Sequence, residues 1–457
     1  MAIQQRDQFV LAATGDAIPT REILPYEGVT DRFDQMLSLL RETDATVANF
    51  EEMVRPDDGY PNAQSSGLHI GVSPEMIDEL TAMGCDIFST ASNHTMDFGH
   101  AGIEHTIAEF RSRDVPFAGM GRTLFEAQKP AYLETAAGRV ALVNSCSTVI
   151  PGSEAGEQTA AMPGRPGMNP LHVEQIYKAT AERIEALEKI SEEVGIENLK
   201  EIWHDSAIQA GHDWDQEEFF HFMDLKFESV DEVSECGIEY RANQADESRI
   251  TDWIEEARNN ADWVLMAHHG HEGVDGLGGT NATKETPRFM TEFAKNCIDA
   301  GADAFIGTGP HVIRGIELYQ DCPIFYSLGN FIIQFDTLDR LGPVTYDMFG
   351  IDQYSKASVA YDAWGFDEDG SPQAYVANDG WFESFIPVCR FDGSGDLEEI
   401  ELHPLDLQQR QSRPQRGIPV LADEEKSTRI LEDVASLSAD FGTEVVYEDG
   451  VGRVEIQ

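Results

Sequence analysis

Positive charge is what this chain has least of. Its 457 residues hold 32 Lys and Arg against 83 Asp and Glu, a formal net charge of −51. The carboxylates run along the whole chain and are not gathered in one tail. That balance argues against nucleic acid as a partner, because phosphate backbones are held by cationic neutralisation. It argues equally against docking on an anionic membrane surface. Long apolar runs are also missing. None approaches the roughly 20 residues needed to span a bilayer, so no direct membrane insertion is expected. The opening MAIQQRDQFV lacks the cationic and apolar segments of a secretory leader, and the expected location is cytoplasmic. Cysteine is sparse, at 85, 146, 236, 297, 322 and 389. Such wide spacing speaks for buried thiols and against a disulfide frame or zinc ribbon. Neither a Walker loop nor a dinucleotide fingerprint occurs, so a nucleotide-dependent ligase lacks its phosphate cradle.

What is present is enough apolar residue to fold. Hydrophobic side chains make up 41 % of the chain, and their spacing is regular. A dispersed carboxylate excess then fits a protein of a halophile with an acidic proteome, kept soluble in salt that screens its self-repulsion. Short apolar runs at 9–14, 45–50, 85–92, 139–145, 263–269, 303–307 and 323–331 read as buried strands. Between them, sets such as Phe33, Met36, Leu37 and Leu40 recur at helical spacing. Strands separated by amphipathic helices indicate an α/β protein whose sheets are covered by helical layers. Residues 151–172 are rich in Gly and Pro and read as a long loop or lid. Residues 173–194 read as a polar, acidic helix, and 195–247 fit no single pattern. Late strands are expected at 381–391 and 397–405, followed by a helix near 424–436 and a terminal hairpin.

Chemistry-bearing side chains recur at one relative position, just after a strand. Asp16 follows the first, Asn49 and Glu51 the second, and Asn93-His94 the third. His268, His269, His271 and Glu272 follow the fourth, and His311 the fifth. The carboxyl edge of such sheets is where sites are built, and Asp, Glu and His are ligands for Mn²⁺, Fe²⁺ or Zn²⁺. Each exit alone also fits a plain turn or helix N-cap, and one of His268 and His269 fits a packed core histidine. Repetition favours one or two divalent metal ions.

The strings GD (15–16), ANFE (48–51), SNHTMDFGHAGIEHT (92–106), AHHGHE (267–272), GADAFIGTGPHVIRGIELY (301–319) and IFYSLGNFI (324–332) resemble the bacterial capsule-synthesis CapA, or poly-γ-glutamate synthesis, family. The resemblance covers about residues 9–145 and 250–335. It implies a four-layer sandwich similar to the calcineurin-like metallophosphoesterases, with two mixed sheets flanked by helices. It places the family domain at 1–405 with an insertion at about 151–249, and leaves 406–457 as a C-terminal extension. Carried over by position, Asp16, Glu51, Asn93, His268 and His311 are the implied metal ligands. His94 is the implied aid to the leaving group, and His269 stands where the family often has a tryptophan. Two departures stand out: Ile18 and Gly309 occupy positions where the phosphoesterase pattern has histidine. His69, His212, His271 and Glu272 are candidates to make up the shortfall. The implied activity is hydrolysis of a phosphoester or a γ-glutamyl amide in a small molecule or polymer. The alternative is a non-catalytic part in polymer synthesis or export. A homo-oligomer is compatible with the sequence, which does not fix the state. Trp203, Trp214, Phe219 and Phe220 are expected to form the small core of an added subdomain or to line a pocket, and Tyr346, Tyr354, Tyr361 and Trp364 carry the same ambiguity.

Overall fold

A computed structural model describes residues 8–56, 59–64, 67–205, 219–273 and 283–456, and the statements that follow concern these. The first apolar run becomes strand Gln8–Ile18, with Ala45–Phe50 parallel on one side and Glu383–Asp392 antiparallel on the other. Ile87–Ser89 and Phe117–Ala118 extend the parallel side. Leu397–Asp406 and the hairpin Val445–Glu448/Val451–Val454 extend the antiparallel side, giving eight strands in a row and, with two short side strands, ten in all. A second sheet of six strands centres on Trp263–His269, which is parallel to Gly138–Cys146 and to Ala304–Thr308. The protein is thus α/β, with mixed sheets flanked by helices.

Strand periodicity decides what lies between the sheets. Side chains alternate faces along a strand. Phe9, Leu11, Ala13, Ala45 and Val47 of the first sheet therefore share one buried cluster with Leu142, Trp263, Leu265 and Ala267 of the second. The opposite faces carry helices. Helix Asp31–Arg41 is capped by the Thr30 hydroxyl, which accepts from Phe33 N–H, and buries Phe33, Met36, Leu37 and Leu40 on the first sheet. Helices Gln244–Arg258 and Arg288–Asp299 bury Ile250, Ile254, Phe289 and Phe293 on the outer face of the second, against Val264 and Met266.

The segment 173–194 differs from expectation. Its first part is strand Val173–Thr180, and only Ala181–Val194 is helical. Val173, Ile176 and Tyr177 suit a pleated surface, and pairing with Leu225–Val230 and Gly237–Ala242 overrides the helical reading. A separate four-stranded sheet results, on which Phe220 packs against Phe227 at 6.3 Å between ring centres. Trp214 and His212 lie outside the described residues. Among the described residues, no helix is long and apolar enough to cross a membrane.

Candidate metal centre

Alternation along the strands also aims the polar residues that follow them. Asn49 and Glu51 continue the phase of Ala45 and Val47, the face turned to the second sheet. In the first strand the register shifts between Ala13 and Asp16. One residue of slip reverses the phase, and Asp16 joins Asn49 and Glu51. The Asn49 carboxamide donates to Asp16 Oδ1 at 2.8 Å and accepts from the Ser89 hydroxyl at 3.0 Å. In the second sheet His269 follows Leu265 and Ala267 inward.

Two sets of side chains converge closely enough to hold an ion each: Asp16, Glu51 and His269, and Glu51, His271 and His311. All five residues are buried, and Glu51 belongs to both sets. His269 Nδ1 lies 3.5 Å from Asp16 Oδ1, and His311 Nδ1 lies 3.4 Å from Asp16 Oδ2. The Nε2 atoms of both imidazoles stand 3.7 Å from Glu51 Oε1. His269 Nε2 faces Asn93 Oδ1 at 2.9 Å and His271 Nε2 at 3.1 Å. Neither oxygen of Glu51 has a hydrogen-bond partner. A buried carboxylate without a donor is costly, and an ion between it and the imidazoles removes that cost.

The electrostatics follow from burial. Burial alone would raise the Asp16 carboxyl, but His269 and His311 outweigh it and hold the group far below the ordinary carboxylate range. Burial raises Glu51 instead, reinforced by the charge of Asp16. His269 is lowered by burial despite Asp16. The donor set is two carboxylates, a carboxamide oxygen and three imidazoles, which suits Mn²⁺, Fe²⁺ or Zn²⁺.

Of the residues expected as ligands, Asp16, Glu51 and His311 meet in these sets, and Asn93 stands beside His269. His268 lies elsewhere. It follows Val264 and Met266 to the outer face, where Nδ1 contacts Ser145 Oγ at 2.8 Å and Nε2 contacts Ser147 Oγ at 3.1 Å. Its ring packs against Phe293 at 5.2 Å, and burial, then the charge of His269, lowers its pKa to about 3. His269 takes the inward place. The face of the preceding Leu265 and Ala267 was the available signal, since both residues point the same way.

Of the two departures from histidine, Ile18 packs into an apolar cluster, and Gly309 has a backbone reason. Gly309 has φ +112° and donates its N–H to Asp16 Oδ2 at 3.0 Å, and a Cβ there would stand 2.8 Å from Gly270 N. No histidine fits. His271 supplies the further imidazole, its backbone N–H bonded to Thr148 Oγ1 at 2.8 Å. Glu272 accepts from the Ser147 hydroxyl at 2.7 Å, and Ser147 in turn contacts His268. His69 belongs to neither set and contacts Asn62 O through Nε2 at 2.8 Å.

His94 lines a cavity of about 250 Å³ together with Asn93, His271 and His311. Its Nδ1 is held by Asp97 Oδ2 at 2.7 Å, and the same oxygen accepts from Ile70 N–H at 2.7 Å. The partnership with Asp97, three residues on in the turn before helix Gly99–Ser112, was not read from the sequence. It fixes the orientation of the ring through Nδ1.

Comparison with known proteins agrees with the motifs. Residues 10–335 match the family described as Bacterial capsule synthesis protein PGA_cap. The chain is 31 % identical to an uncharacterized protein, y4sH, of Sinorhizobium fredii, over 98 % of this chain and 94 % of that one. It is 23 % identical to the capsule biosynthesis protein CapA of Bacillus anthracis, over 72 % of this chain and 61 % of the relative. A solved structure of a 5'-nucleotidase assigned in Staphylococcus aureus aligns over 95 % of this chain and 58 % of that one, at 12 % identity and a TM-score of 0.38. With Asp16, Glu51, Asn93 and His311 all inside the matched span, the chain belongs to the bacterial capsule synthesis PGA_cap family.

Proposed function

We propose that the protein is a metal-dependent hydrolase built on a metallophosphoesterase-like sandwich, acting on a phosphoester or a γ-glutamyl-type amide bond. One observation carries this reading: a single buried carboxylate, Glu51, shared by two ligand sets and without a hydrogen-bond partner among the described residues. Asp16, Glu51, Asn93, His269, His271 and His311 would hold the ions, and His268 is left out of the set. A bound divalent cation supplies Lewis acidity, orienting a water and stabilising charge on the attacked group. The chain's own residues do the rest. Asn49 orients Asp16 through the bond to Oδ1. Asn330 Oδ1, 2.8 Å from His311 Nδ1, turns that ring so that Nε2 faces Glu51. His94, steadied by Asp97, holds a proton at Nε2 for the leaving group.

Elemental analysis of purified protein, combined with a turnover screen of phosphoesters and γ-glutamyl amides in Mn²⁺, Fe²⁺ and Zn²⁺, tests the reading. Stoichiometric metal with turnover of one class is expected. Metal-free protein, inert under all three ions, would turn the case toward a non-catalytic role in polymer synthesis. Within the hydrolase reading the neighbouring pair divides its work. Asn93→Ala should weaken metal binding, while His94→Ala should cut kcat by about 10²-fold or more and keep the metal. Equal metal loss in both variants would remove His94 from its assigned role.

A further inference from the structure

The cavity above the ligand sets has a wall unlike its floor. Asn93, His94, His271 and His311 form a polar part of its lining, and Ile18, Phe335, Met348, Phe349, Trp364 and Trp381 an apolar part. The aromatic rings brace one another. Phe349 stacks on Trp364 at 5.2 Å, Phe335 meets Trp364 at 5.3 Å, and Trp381 reaches the His311 ring at 5.0 Å. The wall is therefore preformed and runs down to the candidate metal ligands. Ile18 adds an apolar surface two residues after Asp16.

Cationic side chains are absent from this lining: among the described residues facing the cavity, none is Lys or Arg. The described lining thus offers an anionic group no Lys or Arg, and such a group buried against aromatic walls without a cation is strongly disfavoured. The rings instead present the flat apolar faces on which an aromatic group gains most. About 150 Å³ is enough for one benzene ring, so a cavity of about 250 Å³ takes one ring together with the reacting group.

Resting on the hydrolase reading above, we propose that the substrate places an uncharged aromatic or apolar group against Phe335, Phe349, Trp364 and Trp381, with its reacting bond at the metal ligands. Polyanionic chains such as γ-linked oligoglutamate are not the occupants of this cavity.

Calorimetric titration of the full chain, with and without Mn²⁺, by benzylphosphonate, methylphosphonate and γ-linked triglutamate tests the assignment. Benzylphosphonate should bind about tenfold more tightly than methylphosphonate, and triglutamate more weakly than either. Trp364→Ala should bring the benzyl-to-methyl ratio toward one. Met348→Lys, at a rim position that is 58 % exposed and free to change without disturbing the core, should strengthen triglutamate binding. Equal affinity for the two phosphonates, or tightest binding of triglutamate, would overturn the proposal. The metal arm keeps the two readings apart. Mn²⁺ uptake without the aromatic preference sinks the substrate class alone, whereas the preference without Mn²⁺ uptake sinks the hydrolase and leaves the aromatic site standing.

Discussion

His268 and His269 are chemically identical neighbours in opposite surroundings. The first is clamped between serine hydroxyls and phenylalanine rings on the outer face, and the second faces Asp16, Glu51 and Asn93. Substitution should therefore separate them. His269→Ala is expected to reduce metal content while the fold stays near its original stability, because removing the ring also removes a desolvated base. His268→Ala is expected to retain metal but lose about 2 kcal/mol in denaturant unfolding, through a cavity and stranded hydroxyls. Metal loss confined to His268→Ala would reverse the assignment. At this scale the sequence showed which side-chain types gather at strand exits. Which of two adjacent imidazoles points inward follows from strand phase, but an all-apolar strand buried on both faces hides which phase faces the other sheet. His271 presented the same difficulty. It lies in the irregular segment beyond the strand, where no periodicity applies.

At the scale of elements, the second sheet's outer helix is anchored at its start. Asn243 caps helix Gln244–Arg258 by accepting from Ala245 and Asp246 N–H. In the first turn, Asp246 pairs with His172 Nδ1 at 2.6 Å and Arg249 Nη2 at 2.9 Å. Partial burial works against the Asp246 carboxylate, but bonds to His172, then Arg249, lower its pKa to about 2. A depressed carboxylate contributes stability that is present above its unfolded value of 3.8 and lost as pH falls through about 2. Allowing for solvent screening of this part-exposed cluster, Asp246→Asn should thus cost about 1 kcal/mol at pH 7, and the gap from the unaltered protein should close between pH 4 and 2 in equilibrium unfolding. A gap that persists at pH 2 would mean that the carboxylate's charge is not the cause. The strands and helices of this core were legible from apolar spacing, since Phe33 to Leu40 and Trp263 to Ala267 bury as their periods require. Val173–Thr180 was not, because its pairing partners lie about 50 or more residues onward and only they stabilise the extended form.

For the whole molecule, the acidic excess sets the response to salt. Near-neutral pH leaves a net charge of −51 on the folded surface, and compactness brings those charges closer than in the unfolded chain. Raising KCl from 0.1 to 2 M shortens the screening length severalfold, so thermal unfolding should shift upward by about 5 °C or more. A flat or falling Tm would show that self-repulsion is not what salt relieves. Sequence by itself determined this charge, the alternation that buries each strand and the residue types at each strand exit, because these depend on composition and local spacing. Tertiary structure decided the ligand sets. The register slip before Asp16, the left-handed backbone at Gly309 and His311, and the segment that brings His271 toward Glu51 join residues as far apart as 16 and 311. Coordination depends on distances between such residues, and no local pattern encodes them.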